Sequence, residues 1–91
     1  MFTEIYCVVK GKVQRVAYRD YIQRYANDRG ITGWVKNKED GTVEILAQSI
    51  PDDLKEYIEI LQTGSPLARV ESVAVDWRTP EEQYEDFIVI Y

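Results

Sequence analysis

The stretch ITGWVKNKEDGTVEILAQ, residues 31–48, decides the fold. Trp34 and Val35 lie in one extended run, and Val43, Ile45 and Ala47 alternate in another. Alternation with a period of two marks a strand with one buried face. Between the runs, KEDG (38–41) is a hairpin signal, with Gly41 supplying the positive φ that such turns need. Asn37 falls at the end of the first strand of this hairpin.

Both flanks of the hairpin read as helices. Over residues 18–29, Tyr18, Tyr21, Ile22, Tyr25 and Ala26 recur at the three-and-four spacing of one buried stripe, and Gly30 ends the run. A second helix starts near Pro51, with Ser49 as its cap and Asp52 and Asp53 at its positive end. Leu54, Tyr57, Ile58 and Leu61 form its stripe; Gly64, Ser65 and Pro66 stop it. TEIYCVV (3–9) reads as a strand before the first helix. Residues 69–77 form another, with Val73, Val75 and Trp77 on one face. After the charged loop RTPEEQYED (78–86), FIVIY (87–91) is the last strand. The order β-α-β-β-α-β predicts an α+β, ferredoxin-like split βαβ sandwich, an antiparallel sheet with two helices on one face. One domain is expected over residues 1–91.

Composition narrows the function. The chain holds no histidine, which removes the commonest general base and metal ligand. No aspartate-rich metal motif is present either, so no metal and no cofactor are expected. The single cysteine, Cys7, cannot form an internal disulfide, and the N-terminus lacks the pattern of a secretory signal; cytoplasm is the expected location. No run is apolar enough to cross a bilayer, so no membrane partner is expected. Net charge is −5, unevenly spread. Residues 10–38 hold eight of the eleven basic side chains and two acids, a net +6 against −11 for the remainder. Such a distribution suggests a local anion site and argues against a broad nucleic-acid surface.

The basic segment contains GKVQRVAYRD, residues 11–20, where a loop enters the first helix. A helix N-terminus presents unpaired N–H groups and a partial positive charge. Arg19 in that first turn is electrostatically misplaced unless an anion joins it. Charge placement alone leaves two readings open for Arg19, an anion ligand or a solvated surface arginine. Asn37, by position alone, reads as a turn residue.

GKVQRVAYR (11–19), GWVKN (33–37) and DGTVE (40–44) together resemble the acylphosphatase family, in order and in spacing. The family pattern is a Gly-x-Val-Gln-Gly-Val-x-Phe/Tyr-Arg loop, then Gly-Trp-Val-x-Asn, then an Asp-Gly hairpin. The resemblance implies hydrolysis of the carboxyl–phosphate bond of small acyl phosphates, such as acetyl phosphate, carbamoyl phosphate or 1,3-bisphosphoglycerate, by direct water attack. It implies a phosphate-binding loop of Gly11, Lys12, Val13, Gln14, Arg15, Val16, Ala17, Tyr18 and Arg19. Within it Arg19 binds the phosphoryl group and Gln14 supports the loop, while Asn37 orients the water. A monomer is expected, with an acyl phosphate as its partner.

One position departs from the pattern, since its second loop glycine is Arg15 here. Val16 after it and Val13 two positions before it favour ordinary φ at residue 15. Arg15 also supports an alternative, a homologue that binds an anion with weak turnover. The other alternative is a ferredoxin-like nucleic-acid-binding module.

Overall fold

The computed structural model describes residues 2–91. β1 (Thr3–Lys12) runs antiparallel to β3 (Val43–Ser49) on one side and to β4 (Arg69–Arg78) on the other. β2 (Thr32–Asn37) pairs antiparallel with the far side of β3, and β5 (Phe87–Ile90) lies beyond β2. The sheet order is β4-β1-β3-β2-β5. Helices α1 (Tyr18–Asp28) and α2 (Pro51–Thr63) pack on the face that carries Ile5, Cys7, Val9, Val35, Val43 and Ile45. Ile22 and Ala26 of α1 meet Leu54, Tyr57 and Leu61 of α2 in the same core. Burial of this apolar stripe is the main term that holds the helices to the sheet.

Buried tyrosines lock the two helices together. The Tyr18 hydroxyl donates to the Leu61 carbonyl at 2.8 Å, and the Tyr57 hydroxyl donates to the Ile22 carbonyl at 3.0 Å. A buried hydroxyl without a partner would cost about 1–3 kcal/mol, so both bonds fix the helix pair in register. Burial also pushes the phenol of Tyr18 well above its ordinary value.

The expected antiparallel sheet holds for β4, β1, β3 and β2, whereas β5 is parallel to β2. Connectivity explains the exception. β4 ends where β1 begins, with Arg78 beside Glu4. Residues 79–86 carry the chain from there to the opposite edge, and a strand that starts at that end runs the same way as β2. The crossing is pinned by Gln48. Its Nε2 donates to the Glu82 carbonyl at 2.6 Å, and its Oε1 accepts from the Tyr84 N–H at 3.1 Å. Gly33 N–H then donates to the Asp86 carbonyl at 2.9 Å. Leu46 and Gln48 are buried on the face away from the helices, as alternation in β3 does not anticipate. Consequently β1, β2 and β5 all finish at the same end of the sheet.

Ser49 is not the cap of α2. It is still paired with Thr3 as the last residue of β3, so the cap position falls on Ile50 and no side chain fills it. The Ser49 hydroxyl instead lies 3.2 Å from an Asp53 carboxylate oxygen.

Candidate active site

β1 leaves the sheet through a bulge, in which Lys10 faces Ser72 while Gly11 faces Val70. Gly11 has φ 133° there, and a Cβ on it would run into the Arg69 carbonyl oxygen. Only glycine allows the two backbones to come this close. Residues 13–17 then form the loop that enters α1. Arg15 has φ 62° and Ala17 has φ 59°, with Val16 between them at negative φ. The expectation of ordinary φ at residue 15 is therefore wrong. Closure of the loop between β1 and α1 overrides the local preference of a residue that precedes a valine. Alternating the sign of φ turns successive N–H groups toward one side, the geometry of an anion-binding nest.

Among the described residues no side chain caps α1, whose cap position is Ala17 itself. Val13, Arg15, Ala17, Tyr18, Arg19 and Asp20 line a small cleft of about 80 Å³ at this entrance. Gly11 and Lys12 stay in β1, Lys12 opposite Arg69, and neither they nor Gln14 and Val16 of the loop line that cleft. Gln14 has a supporting role. Its Nε2 donates to the carbonyls of Lys38 and Thr42, at 2.8 and 2.9 Å, and so ties the loop to the β2–β3 hairpin. Ser65 supports the loop from the other side, donating to the Val16 carbonyl at 3.1 Å. Forty-nine positions separate those two residues, and no local signal marks the contact. Among the described residues neither Arg15 nor Arg19 forms an ion pair. The Arg19 guanidinium sits 5.0 Å from the centre of the Tyr91 ring, a cation–π contact that sequence patterning does not reveal.

Asn37 ends β2 opposite Val43, which in turn pairs with Val9 of β1. It does not line the loop cleft but a separate hollow with Lys36, Lys38, Glu39, Asp40 and Glu44. The pairing of Lys36 with Ile90 brings the following residue, Tyr91, to the end of the sheet where Asn37 lies. Arg19 and Asn37 thus approach Tyr91 from two different elements. The turn of the hairpin is made without Asn37. Asp40 accepts from the Thr42 N–H at 3.0 Å and from its hydroxyl at 2.6 Å, which holds the Asp40 carboxyl below its usual value. Gly41 supplies φ 91°. The Asn37 Oδ1 is buried and has no hydrogen-bond partner among the described residues. A buried acceptor left unpaired costs about 1–3 kcal/mol, and among the described residues the Thr32 hydroxyl is the other buried side-chain group in this state.

Arg15→Gly tests the loop directly. A side chain held in the left-handed region is strained by about 1–2 kcal/mol, against which the freer unfolded chain of a glycine weighs about 0.5–1 kcal/mol. The variant should be slightly more stable in urea unfolding. Because Arg15 lines the cleft, the substrate KM of the variant should rise at low ionic strength and converge on wild type at high salt.

Comparison with known proteins bears on what this arrangement is for. The family model described as Acylphosphatase matches residues 5–89. An acylphosphatase of Bacillus licheniformis is 37% identical over 84 residues, 92% of this chain and 93% of that protein. The crystal structure of acylphosphatase from Bacillus subtilis superimposes with a TM-score of 0.95 at 35% identity, covering 100% of both chains. An acylphosphatase structure from Coxiella burnetii gives a TM-score of 0.92 at 37% identity, over 98% of this chain and 93% of that one. With that match running from the first strand to the last, and a crystallised relative sharing the backbone throughout, the chain belongs to the acylphosphatase family.

Proposed function

We propose that this acylphosphatase holds the phosphoryl group of an acyl phosphate on the N–H groups of residues 15–19 and on the Arg19 guanidinium, and that Asn37 places the attacking water. The observation that carries the reading is the Asn37 Oδ1, buried at the end of β2 and unpartnered among the described residues. It can accept a hydrogen bond from water without placing a negative charge next to phosphate, as an aspartate would. Arg19 presents a planar fork that matches two phosphoryl oxygens.

The chemistry asks little more of the protein. The leaving carboxylate is a weak base and departs without a proton donor. Phosphoryl transfer has a loose transition state, so positioning and charge stabilisation supply most of the rate. Water forms the new P–O bond as the bond to the carboxylate oxygen breaks, and its proton passes to solvent. The products are carboxylate and inorganic phosphate. No covalent intermediate is needed. Cys7 is buried in the core, where desolvation pushes its thiol up to about 12, so it is no nucleophile at neutral pH.

Among the described residues, no group of three or more His, Cys, Asp or Glu side chains is arranged to hold a metal. The testing experiment is therefore hydrolysis of acetyl phosphate with chelator in excess. Turnover is expected to persist unchanged in EDTA. Its loss, with recovery on adding Mg²⁺, would require a different mechanism.

A monomeric, cytoplasmic enzyme with no nucleic-acid partner, formed as one domain over residues 1–91, is part of the same proposal. The lone cysteine, the net charge of −5 and the confinement of basic side chains to one segment support it. Among the described residues no helix is long and apolar enough to cross a membrane.

A further inference from the structure

The loop at residues 15–19 and Asn37 belong to strands that do not touch. The loop follows β1, Asn37 ends β2, and β3 lies between the two. In-line attack needs the water oxygen about 3–3.5 Å from phosphorus, on the side opposite the leaving oxygen. A small slip of one strand against another spoils that alignment. Gln14 spans the gap. Its Nε2 commits both hydrogens to the hairpin, one to the Lys38 carbonyl at 2.8 Å and one to the Thr42 carbonyl at 2.9 Å. Lys38 directly follows Asn37, and Thr42 directly precedes Val43, the residue paired with Asn37. The Lys38 N–H donates to the Thr42 carbonyl at 2.9 Å, so these two residues make the rung next to Asn37. Gln14 therefore grips both ends of that rung. Among the described residues no other hydrogen bond joins residues 13–17 to the hairpin.

The turn itself does not depend on this grip. The Lys38 carbonyl also accepts from the Gly41 N–H at 3.2 Å, and Asp40 holds Thr42. Without Gln14 both carbonyls keep a backbone partner, so the bonds matter less for folding than for where the hairpin sits against the loop. Gln14 lines neither the loop cleft nor the hollow that holds Asn37. We propose that Gln14 is a positioning residue, which fixes Asn37 relative to the phosphoryl loop and so sets the line of water attack. The inference rests on the phosphoryl group binding at residues 15–19 and on Asn37 placing the water.

The test measures kcat and KM for acetyl phosphate in wild type, Gln14→Met, Asn37→Ala and the double variant. Methionine keeps the length of the side chain and loses the donor. Gln14→Met should lower kcat roughly tenfold or more, the effect of a small misplacement of a reacting group, and leave KM nearly unchanged. Inorganic phosphate should raise the melting temperature of Gln14→Met as much as that of wild type, which reports an intact fold and phosphoryl loop. In the Asn37→Ala background the same substitution should lower kcat about twofold at most, because the group it positions is gone. An unchanged kcat in Gln14→Met, or an equal loss in both backgrounds, overturns the positioning role and spares Asn37. Loss of phosphate stabilisation in Gln14→Met also overturns it, since the bonds would then serve the loop alone. Near-normal kcat in Asn37→Ala by itself overturns the placement of water and this inference with it.

Discussion

Arg19→Ala should lower kcat/KM for acyl phosphates by roughly 10³-fold or more, the scale on which a single arginine stabilises a phosphoryl-transfer transition state. The guanidinium would meet phosphate in both the ground and the transition state, so kcat should fall and KM should rise together. Arg19→Lys should recover little, because an ammonium is a point charge without the two-pronged donor geometry. Stability should change only slightly. The one aromatic contact of Arg19, to Tyr91, is with a residue 95% exposed, and loss of an exposed cation–π contact costs about 0.5–1 kcal/mol. Inorganic phosphate should stabilise wild type by binding the native loop, and should not stabilise Arg19→Ala. Steady-state kinetics with thermal unfolding checks all of these. A variant that keeps more than a tenth of wild-type kcat/KM would remove Arg19 from the phosphoryl site.

Asn37→Ala should lower kcat by roughly 10²-fold or more, on the scale of losing one preorganised polar group, with a modest change in KM. Its effect on stability should run the other way. In the free enzyme the Asn37 Oδ1 gains no hydrogen bond in return for its burial, so removing it relieves a cost of about 1–3 kcal/mol, offset by the packing lost with the side chain. The variant should therefore be at least nearly as stable as wild type while turning over far more slowly. A purely structural asparagine would give the reverse, near-normal kcat with a loss of stability. Single-turnover kinetics alongside urea unfolding separates the two cases, and near-normal kcat would return Asn37 to the role of a strand-end residue.

The elements were legible where burial is periodic. The stripes of both helices and the alternation of Val43, Ile45 and Ala47 are direct consequences of which face meets the core. Leu46 and Gln48 escaped the same logic, because the segment that covers them comes from residues 79–86, far away in sequence. The parallel course of β5 is a matter of connectivity, which local pattern does not encode. In the loop, Arg15 shows the limit of local preference. The valine that follows it favours an extended backbone, yet the closure between β1 and α1 imposes φ 62°. Arg19 and Asn37 stand out in the sequence chiefly through the three-part motif. Their surroundings could not be read there, since Tyr91 reaches Arg19 through strand pairing and Ser65 reaches Val16 from the end of α2. For Asn37 the competing turn explanation could be weighed only once Asp40 and Gly41 were seen to make the turn without it.

The close approach of Gly11 to the Arg69 backbone also sets an order of events during folding. The pairing of Gly11 with Val70 joins the start of the chain to a strand near its end, after both helices and the hairpin. Contacts so distant in sequence close slowly, because the entropy of a large loop is lost before any reward arrives. The strained turn at residues 15–17 is held by Gln14 and Ser65 as well as by that closure, all of them contacts distant in sequence, so it is expected to form after the rate-limiting step. Interactions made after that step leave the folding rate alone and act on the rate of escape from the native state. An anion seated in the turn is then a brake on unfolding, lengthening the lifetime of the folded enzyme without hastening its birth.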